Sequence, residues 1–314
     1  STEIQFSGRF NMGVNTVITQ IISLFLVALV GFYGGKKNII DENFSNGLSK
    51  LLVEITTPFL VISSFSFSYG PNMKNNVIKS FIYSFIIFAL TPLLVKPLLL
   101  VIDKGKRNTL EFAMMFSNCG FMGFPVAQSV FGKEGVIYAA VFNMLFSIFV
   151  WTYGVMLFTN TKSLGGLKKC LKNPGIISSF IGLIIMIFSI KIPAVFMNTI
   201  DMVGGLTTPI SMLIIGSLLS RSELKKIIKD RSLYYGSFIK LILLPEVLYF
   251  ISILSGDNST VIKTLILMQA MPAGAFTTIF AENFNKDKEY SAFIVSFSSL
   301  LSIITIPLII KLCF

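Results

Sequence analysis

The sequence predicts an all-α integral membrane protein with ten transmembrane helices. Three observations carry this prediction. The 314 residues are 54% hydrophobic, with a mean hydropathy of +0.79. Only 13% of them are charged, whereas soluble domains contain about 25%. The apolar residues are grouped in ten runs, each long enough to cross the hydrocarbon of a bilayer as a helix.

The ten segments follow one another with short linkers between them. Their approximate limits are 15–34, 46–68, 77–102, 109–131, 134–159, 173–190, 196–219, 232–255, 260–282 and 290–313. Each is expected to be a helix, because an open strand leaves backbone groups without hydrogen bonds in lipid. No linker is long enough to hold a soluble domain. Residues 1–14 are expected to form an N-terminal tail, and its polar part before Met12 is consistent with an addition to the natural chain.

Proline-centred positions of the first half recur in the same order, about 150 residues later, in the second half. The matches are Thr56-Thr57-Pro58 with Thr207-Thr208-Pro209, Pro92 with Pro245, and Pro125 with Pro272. We therefore predict two five-helix repeats, residues 15–160 and 173–314, joined by a cytoplasmic linker at 161–172. Since five helices cross the membrane an odd number of times, the second repeat is expected to be inverted. Chance recurrence of three short patterns is the alternative.

Basic residues are unevenly distributed between the loops. Loops after odd-numbered segments hold sixteen Lys and Arg residues, and the tails and other loops hold seven. The positive-inside rule places the first group in the cytoplasm and both termini outside, in a protein of the plasma membrane. Loops that face anionic lipid also explain the net charge of +11, so no nucleic-acid partner is expected.

The chain lacks the residues that several kinds of metal-binding, catalytic and phosphate-binding sites require. The chain has no histidine, and its three cysteines form no CxxC pair. This removes the commonest metal ligand and the Ser-His and Cys-His nucleophile pairs. There is also no GxxxxGK[ST] phosphate loop. We therefore expect no metal, no cofactor and no enzymatic activity.

Two apolar segments are interrupted at their middles. Segment 4 contains the stretch Asn118–Pro125, and segment 9 contains the stretch Gln269–Ala275. Proline removes a backbone donor and clashes with the preceding turn, and glycine leaves the helical conformation easily. Interrupted segments at matching positions of two halves indicate the substrate site of a transporter. Two ordinary proline kinks, which are common in membrane helices, are the alternative.

The two breaks are expected to cross near the middle of the membrane, because their segments enter from opposite sides. The second half of each broken helix, after Pro125 and after Pro272, should begin with unpaired N–H groups and about half a positive charge. Such helix ends favour an anion, particularly a carboxylate. Amide side chains would add hydrogen bonds and glycines would permit close backbone approach, although Asn118 could instead join helices. The expected substrate-binding residues are Asn118, Cys119, Gly120, Gly123, Pro125, Gln128, Asn143, Gln269, Met271, Pro272, Ala273 and Gly274.

A second group of residues is expected to act in coupling or gating. Its members are Glu54, Thr57, Pro58, Thr208, Pro209 and Glu111. Threonine next to proline can bond back to helix carbonyls, and this structural role is favoured over substrate contact. Glu54 is a carboxylate deep in a membrane segment, which indicates function, unless its helix starts nearer the surface. Lys96 and Lys240 also fall within apolar runs, where long side chains can reach back toward the surface. No acidic residue lies in either break, which argues against direct ion coupling there.

Several stretches resemble the auxin efflux carrier family, which includes plant auxin exporters and bacterial malate or auxin carriers. They are Gly47–Pro58, Asn118–Pro125, Val141–Asn143, Trp151–Gly154, Met271–Gly274 and Ala281–Asn283. The resemblance covers residues 15–314, and it is most specific in segments 4 and 9. No long loop separates the halves, so the chain looks like a compact prokaryotic member.

The resemblance implies a fold similar to that of bile-acid symporters and sodium/proton antiporters. Helices 1, 2, 6 and 7 would form a scaffold that also makes a homodimer, and the other helices would form a moving transport domain. Asn118 takes the place of the family's substrate-contacting asparagine, and Pro125 and Pro272 take those of its crossover prolines. The ionisable pair that plant members carry beside the crossing has no counterpart that the sequence identifies.

These arguments predict a secondary transporter that moves a small organic anion by an elevator-type motion. The anion is expected to be a carboxylate, such as an indole-acetate-like compound or malate. The expected partners are this substrate, the lipid bilayer and a second copy of the chain. One alternative is a sodium- or proton-coupled symporter or antiporter of the same fold. Another is a membrane sensor that binds a ligand without transporting it.

Overall fold

The computed structural model describes residues 22–66, 72–159, 174–221, 230–274, 276–284 and 286–314. Every regular element within these ranges is a helix, and each of the ten apolar segments contains helical residues. Six helical stretches are long and apolar enough to cross a membrane, and three shorter apolar helices accompany them. The prediction of a multi-pass helical membrane protein is therefore confirmed. The inverted arrangement of two repeats stays a prediction.

We number the helices in chain order. They are α1 (Ile22–Lys36), α2 (Glu42–Phe65), α3 (Met73–Val101), α4 (Lys104–Met115), α5 (119–131), α6 (133–159), α7 (Pro174–Ile187), α8 (Ala194–Ser220), α9 (Arg231–Ser255), α10 (Thr260–Ala270), α11 (Phe276–Asn283) and α12 (Lys288–Cys313). Gly132 separates α5 from α6, because its φ of 63° and ψ of −152° interrupt the helical backbone. Only glycine adopts this combination readily.

Four helices begin at an aspartate whose carboxylate accepts a hydrogen bond from a backbone N–H two or three residues later. The capping residues are Asp41, Asp103, Asp230 and Asp287. Each supplies an acceptor to the exposed first turn of α2, α4, α9 or α12 and complements the helix dipole. Burial alone would raise the pKa of the Asp230 carboxyl, but hydrogen bonds from Lys106 and Ser232 outweigh it and lower the pKa.

Three of the prolines follow a wide, π-helical turn rather than a simple kink. The turns and prolines are Leu52–Thr56 before Pro58, Cys119–Gly123 before Pro125, and Ile239–Leu243 before Pro245. A wider turn relieves the clash of the proline ring with the preceding turn, and π-turns of this kind are often found at functional sites. Two of the three turns line the cavity described below, and the third contains Lys240, which bonds to a residue of the cavity wall.

Helices α7 and α8 both pack against α2, and α1 packs on α8. Small residues allow these close approaches, as is common between membrane helices. A Cβ at Gly216 of α8 would lie 1.8 Å from the carbonyl oxygen of Ala28, and one at Gly204 would lie 2.8 Å from the backbone of Leu60. The remaining helices surround the two breaks. A cluster of buried phenylalanines joins α3, α4 and α6 beside them, including Phe88, Phe112 and Phe142.

Candidate functional site

The two breaks predicted in segments 4 and 9 lie side by side. The N–H of Asn118 donates to the carbonyl oxygen of Pro272 at 2.7 Å, and the N–H of Gly274 donates to that of Phe116 at 2.9 Å. Ser117 and Ala273 thereby pair as in a short antiparallel ladder. Each break supplies the hydrogen bonds that the other lacks, which makes irregular backbone tolerable within a membrane.

Glycines permit the close approach at two of the three predicted positions. A Cβ at Gly274 would lie 3.1 Å from the carbonyl oxygen of Ser117, and one at Gly123 would lie 2.8 Å from Cε of Met268. At Gly120, no atom of the described residues lies within 4 Å of the position that a Cβ would take. Gly120 therefore borders open space and is not needed for helix contact.

The first break ends before Pro125, earlier in the chain than the position of this proline had predicted. The second half of this broken helix begins at Cys119, and Pro125 lies inside α5, directly after the π-turn. The Oδ1 atom of Asn118 caps the new helix by accepting from the N–H of Phe121 at 3.3 Å. The positive helix end is thus next to Asn118, and the expectation that it follows Pro125 is wrong. The second break agrees with expectation, because α11 begins at Phe276, after Pro272.

A cavity of about 100 Å³ lies between α2, α7 and the crossing. Its polar wall consists of Thr57, Ser117, Asn118, Asn143 and Ser147. Gly120 and Gly274 also border it, and its apolar wall includes Leu52, Val53 and four phenylalanines. The cavity therefore combines a few polar groups with a mostly apolar lining, which is typical of small-molecule sites.

The other predicted binding residues occupy four different places. Cys119 lies behind the cavity wall, where its Sγ donates to Oδ1 of Asn143 at 3.2 Å. Gln128 accepts a hydrogen bond from the hydroxyl of Thr208 at 3.2 Å, and so joins α5 to α8. Gln269 points to the far side of the crossing. The remaining residues lie in the backbone of the breaks or in the adjacent core: Gly123, Pro125, Met271, Pro272 and Ala273.

Lys240 is a candidate functional residue that the sequence did not single out. It lies in the π-turn of α9 and is only 2% exposed. The expectation that its long side chain reaches back toward the membrane surface is therefore wrong. Its Nζ donates to the carbonyl oxygen of Met114 at 3.0 Å and to Oγ of Ser117 at 2.5 Å. The only signal in the sequence was a lysine within an apolar run, five residues before Pro245.

The ammonium group of Lys240 forms no ion pair with a carboxylate in the described part of the chain. A buried charge without a counter-charge is costly, so such lysines are retained mainly where they act on a ligand. Ser117 stands between Lys240 and the cavity. The positive charge of Lys240 and the N-terminus of α5 both lie on the crossing side of the cavity.

The two Thr-Thr-Pro sites are not alike. Thr56 bonds back to the carbonyl oxygen of Leu52 at 3.4 Å, as the structural interpretation predicts. The hydroxyl of Thr57 has no hydrogen-bond partner among the described residues and lines the cavity. Thr208 bonds to Gln128 and not to its own helix. Pro58 and Pro209 each lie in the first turn of the helical stretch that follows.

The two candidate coupling carboxylates lie outside the cavity lining. Glu54 is exposed on α2, directly after Val53, which does line the cavity. Glu111 of α4 is 5% exposed and accepts a short hydrogen bond from the hydroxyl of Tyr153. The Nζ of Lys96 lies 4.0 Å from the same carboxylate. The described residues contain no group of three or more His, Cys, Asp or Glu side chains placed to hold a metal ion.

Comparisons with known proteins agree with a transport role. The sequence profile of the membrane transport protein family matches residues 16–165 and 163–310. The chain is 23% identical over 307 residues to an uncharacterized transporter of Methanocaldococcus jannaschii, covering 92% of this chain and 96% of that relative. It is 20% identical over 318 residues to the uncharacterized transporter YfdV of Escherichia coli, covering 93% and 96%. A putative malonate transporter of Rhizobium meliloti is 22% identical over 217 residues, covering 64% and 67%. The chain therefore belongs to the membrane transport protein family, the auxin efflux carriers, as a compact prokaryotic member.

Proposed function

We propose that this protein is a secondary transporter that moves a small organic carboxylate across the plasma membrane. The single observation that carries the proposal is the buried ammonium group of Lys240, held behind Ser117 at the wall of the cavity. A bound carboxylate would supply the counter-charge that this ammonium lacks among the described residues.

The charge pattern of the cavity supports an anion over a cation or a neutral molecule. Among the described residues, no Asp or Glu side chain lines it. Protonated Lys240 contributes a positive charge behind Ser117, and the N-terminus of α5 contributes a partial one. Asn118, Asn143 and Thr57 add hydrogen-bonding groups that can orient a carboxylate.

The size of the cavity favours a short carboxylate. Its volume of about 100 Å³ is smaller than the roughly 150 Å³ of a cavity that binds benzene. Malonate and malate are much smaller than an indole-acetate-like compound, so they require the cavity to widen far less. The Rhizobium meliloti relative, a putative malonate transporter, points to the same class of short dicarboxylates. We therefore propose a short dicarboxylate as the preferred substrate.

The arrangement of the cavity supports an elevator-type mechanism. We also propose a homodimer, as the family resemblance implies, with both termini outside, as the distribution of basic residues between the loops indicates. One wall belongs to α2 and α7, and the other belongs to the crossing and α6. Movement of the crossing against α1, α2, α7 and α8 would carry a bound anion between the two sides of the membrane. The hydrogen bond between Gln128 and Thr208 links these two groups of helices in the present conformation.

Transport and binding by the purified protein test the proposal directly. In proteoliposomes, radiolabelled malonate and malate should be taken up above the level of empty vesicles, and the uptake should saturate. Ligand binding raises the unfolding temperature, so both acids should stabilise the detergent-solubilised protein while their diamides should not. Equal stabilisation by the diamides would refute the anion site. Saturable binding without uptake would instead support a membrane sensor.

A proton-coupled mechanism is the second candidate, and the buried Glu111 favours it. Glu111 is 5% exposed, and its carboxylate contacts the hydroxyl of Tyr153 and the Nζ of Lys96. A movement of these helices that changed the two contacts would change how readily the carboxylate binds a proton. Glu111→Gln should abolish any acceleration of uptake by an imposed pH gradient, while malonate still raises the unfolding temperature. If wild-type uptake responds to neither a pH gradient nor a sodium gradient, coupled transport is ruled out.

A second link between the two groups of helices yields a prediction about turnover. The Nζ of Lys133 at the start of α6 lies 3.0 Å from Asp201 of α8, which also accepts a short hydrogen bond from Ser63 of α2. Both charged side chains are partly exposed, so the pair contributes at most about 1 kcal/mol. Lys133→Gln should therefore change the uptake rate by up to about fivefold, with little change in the unfolding temperature.

The ion pair between Lys106 and Asp230 provides the matched control for Lys133→Gln. Its atoms are 2.6 Å apart, but it joins α4 to the residue that caps α9, within the group of helices around the crossing. Lys106→Gln should leave the uptake rate within the error of the assay. Equal effects of the two substitutions would contradict relative movement between the groups.

A further inference from the structure

A second cavity lies on the opposite side of the crossing and opens onto the exposed apolar surface of α3 and α9, which a bilayer would cover. Its volume is about 170 Å³, and it is bounded by α3 and α9 above α10. Apolar side chains at its mouth are 43–48% exposed, among them Leu90, Leu94 and Ile251. At its inner end, Thr91 and Gln269 are at most 5% exposed. The cavity thus reaches from the outer surface to the crossing, and it shares no lining residue with the first cavity.

The inner end of this cavity carries an acceptor that the protein leaves without a donor. Gln269 is 1% exposed, and its Oε1 has no hydrogen-bond partner among the described residues. Its Nε2 faces the carbonyl oxygen of Met114 at 3.5 Å, which fixes the amide with its nitrogen toward the crossing. Buried acceptors without hydrogen-bond partners are rare in proteins, and some of them are acceptors that bind a ligand.

The hydroxyl groups along the cavity are also acceptors. The Oγ1 of Thr91 donates to the carbonyl oxygen of Ile87 at 2.6 Å, and the Oγ of Ser252 donates to that of Tyr249 at 2.7 Å. Each hydroxyl has one proton, so only lone pairs remain for a molecule in the cavity. A carboxylate would meet acceptors alone, whereas a hydroxyl or N–H group would find partners.

We propose that this cavity is a second ligand site, for a small uncharged molecule that dissolves in the bilayer and carries one hydroxyl or N–H donor. Its volume is close to the roughly 150 Å³ of an apolar cavity that binds benzene, so one six-membered ring fits. The ring lies among the apolar side chains of α3 and α9, and its donor reaches Gln269. Phenol is the simplest probe of this class.

Photo-crosslinking in lipid nanodiscs tests the proposal. A phenol that carries a diazirine should label peptides of α3 and α9, and peptide mapping should find little label on the lipid-facing side of α1. Unlabelled phenol should compete about fivefold better than anisole, which has the same ring without the donor, because one net hydrogen bond corresponds to about this factor. Benzoate should compete no better than anisole.

Two variants separate the donor contact from the cavity itself. Gln269→Leu should retain labelling but remove the advantage of phenol over anisole. Ser252→Leu fills the cavity from α9, away from the crossing, and should abolish specific labelling while the protein keeps its unfolding temperature. Anisole competing as well as phenol in the wild-type protein would overturn the donor contact, and label spread evenly over all lipid-facing helices would overturn the site.

Discussion

Lys240→Met is expected to weaken the binding of malonate and malate on the order of 100-fold. A carboxylate hydrogen-bonded to Ser117 would lie about 5 Å from Nζ of Lys240, because the serine hydroxyl stands between them. At an effective dielectric constant of about 20, two unit charges at this distance attract by about 3 kcal/mol. The measurement is the dissociation constant of each acid, from isothermal titration or from the concentration dependence of the unfolding temperature.

The unfolding temperature of ligand-free Lys240→Met should hold or rise, since an apolar side chain often replaces a buried charge without loss of stability. This separates a charge effect from a folding defect. Lys311→Gln is the matched control, because Lys311 is exposed near the end of α12, away from the crossing. Carboxylate affinity that survives Lys240→Met unchanged would remove the main support for an anion substrate.

Gly274→Val is expected to abolish uptake and to lower the unfolding temperature by several degrees. Its side chain would begin 3.1 Å from the carbonyl oxygen of Ser117 and 3.2 Å from that of Phe116, so the two breaks must move apart. Overpacking of this kind costs about 1–3 kcal/mol. The separation would also lengthen the hydrogen bond from Gly274 to Phe116. Uptake in proteoliposomes and thermal unfolding measure the two effects.

The same substitution at Gly205 is the control for Gly274→Val. Gly205 ends the first stretch of α8, and no atom lies within 4 Å of the position of its Cβ. Gly205→Val should therefore leave uptake and unfolding close to wild type. If Gly274→Val transports normally, the close contact of the breaks is not needed for transport.

The parts of the site that the sequence predicts are those that depend on backbone chemistry. An asparagine, two glycines and a proline within the apolar run of segment 4 required an interruption there, and the Met271–Gly274 stretch required another in segment 9. Their meeting followed from the opposite direction of the two segments. The start of α5 at Cys119 was not predictable in this way, because a π-turn absorbs the effect of Pro125.

Where the backbone is irregular, the spacing of residues along the sequence does not predict the direction in which a side chain points. Both Asn118 and Gln269 were predicted to bind the substrate, yet only Asn118 borders the first cavity and Gln269 lines the second. Likewise, the depth of Lys240 depends on how α9 packs against α4, which is a tertiary contact. Near the end of an isolated apolar run, the same lysine could equally reach the membrane surface.

The pairing of the two breaks has a consequence for how the sequence can diverge. Both bonds, from Asn118 to Pro272 and from Gly274 to Phe116, join main-chain atoms. Main-chain bonds do not depend on the identity of most side chains, so substitutions can accumulate around the join without uncoupling it. What must be preserved is the backbone conformation of both breaks. The two halves of the chain therefore constrain each other through this conformation. A chimaera that combines the first half of one relative with the second half of another should assemble whenever both halves retain that shape, even where few side chains are shared.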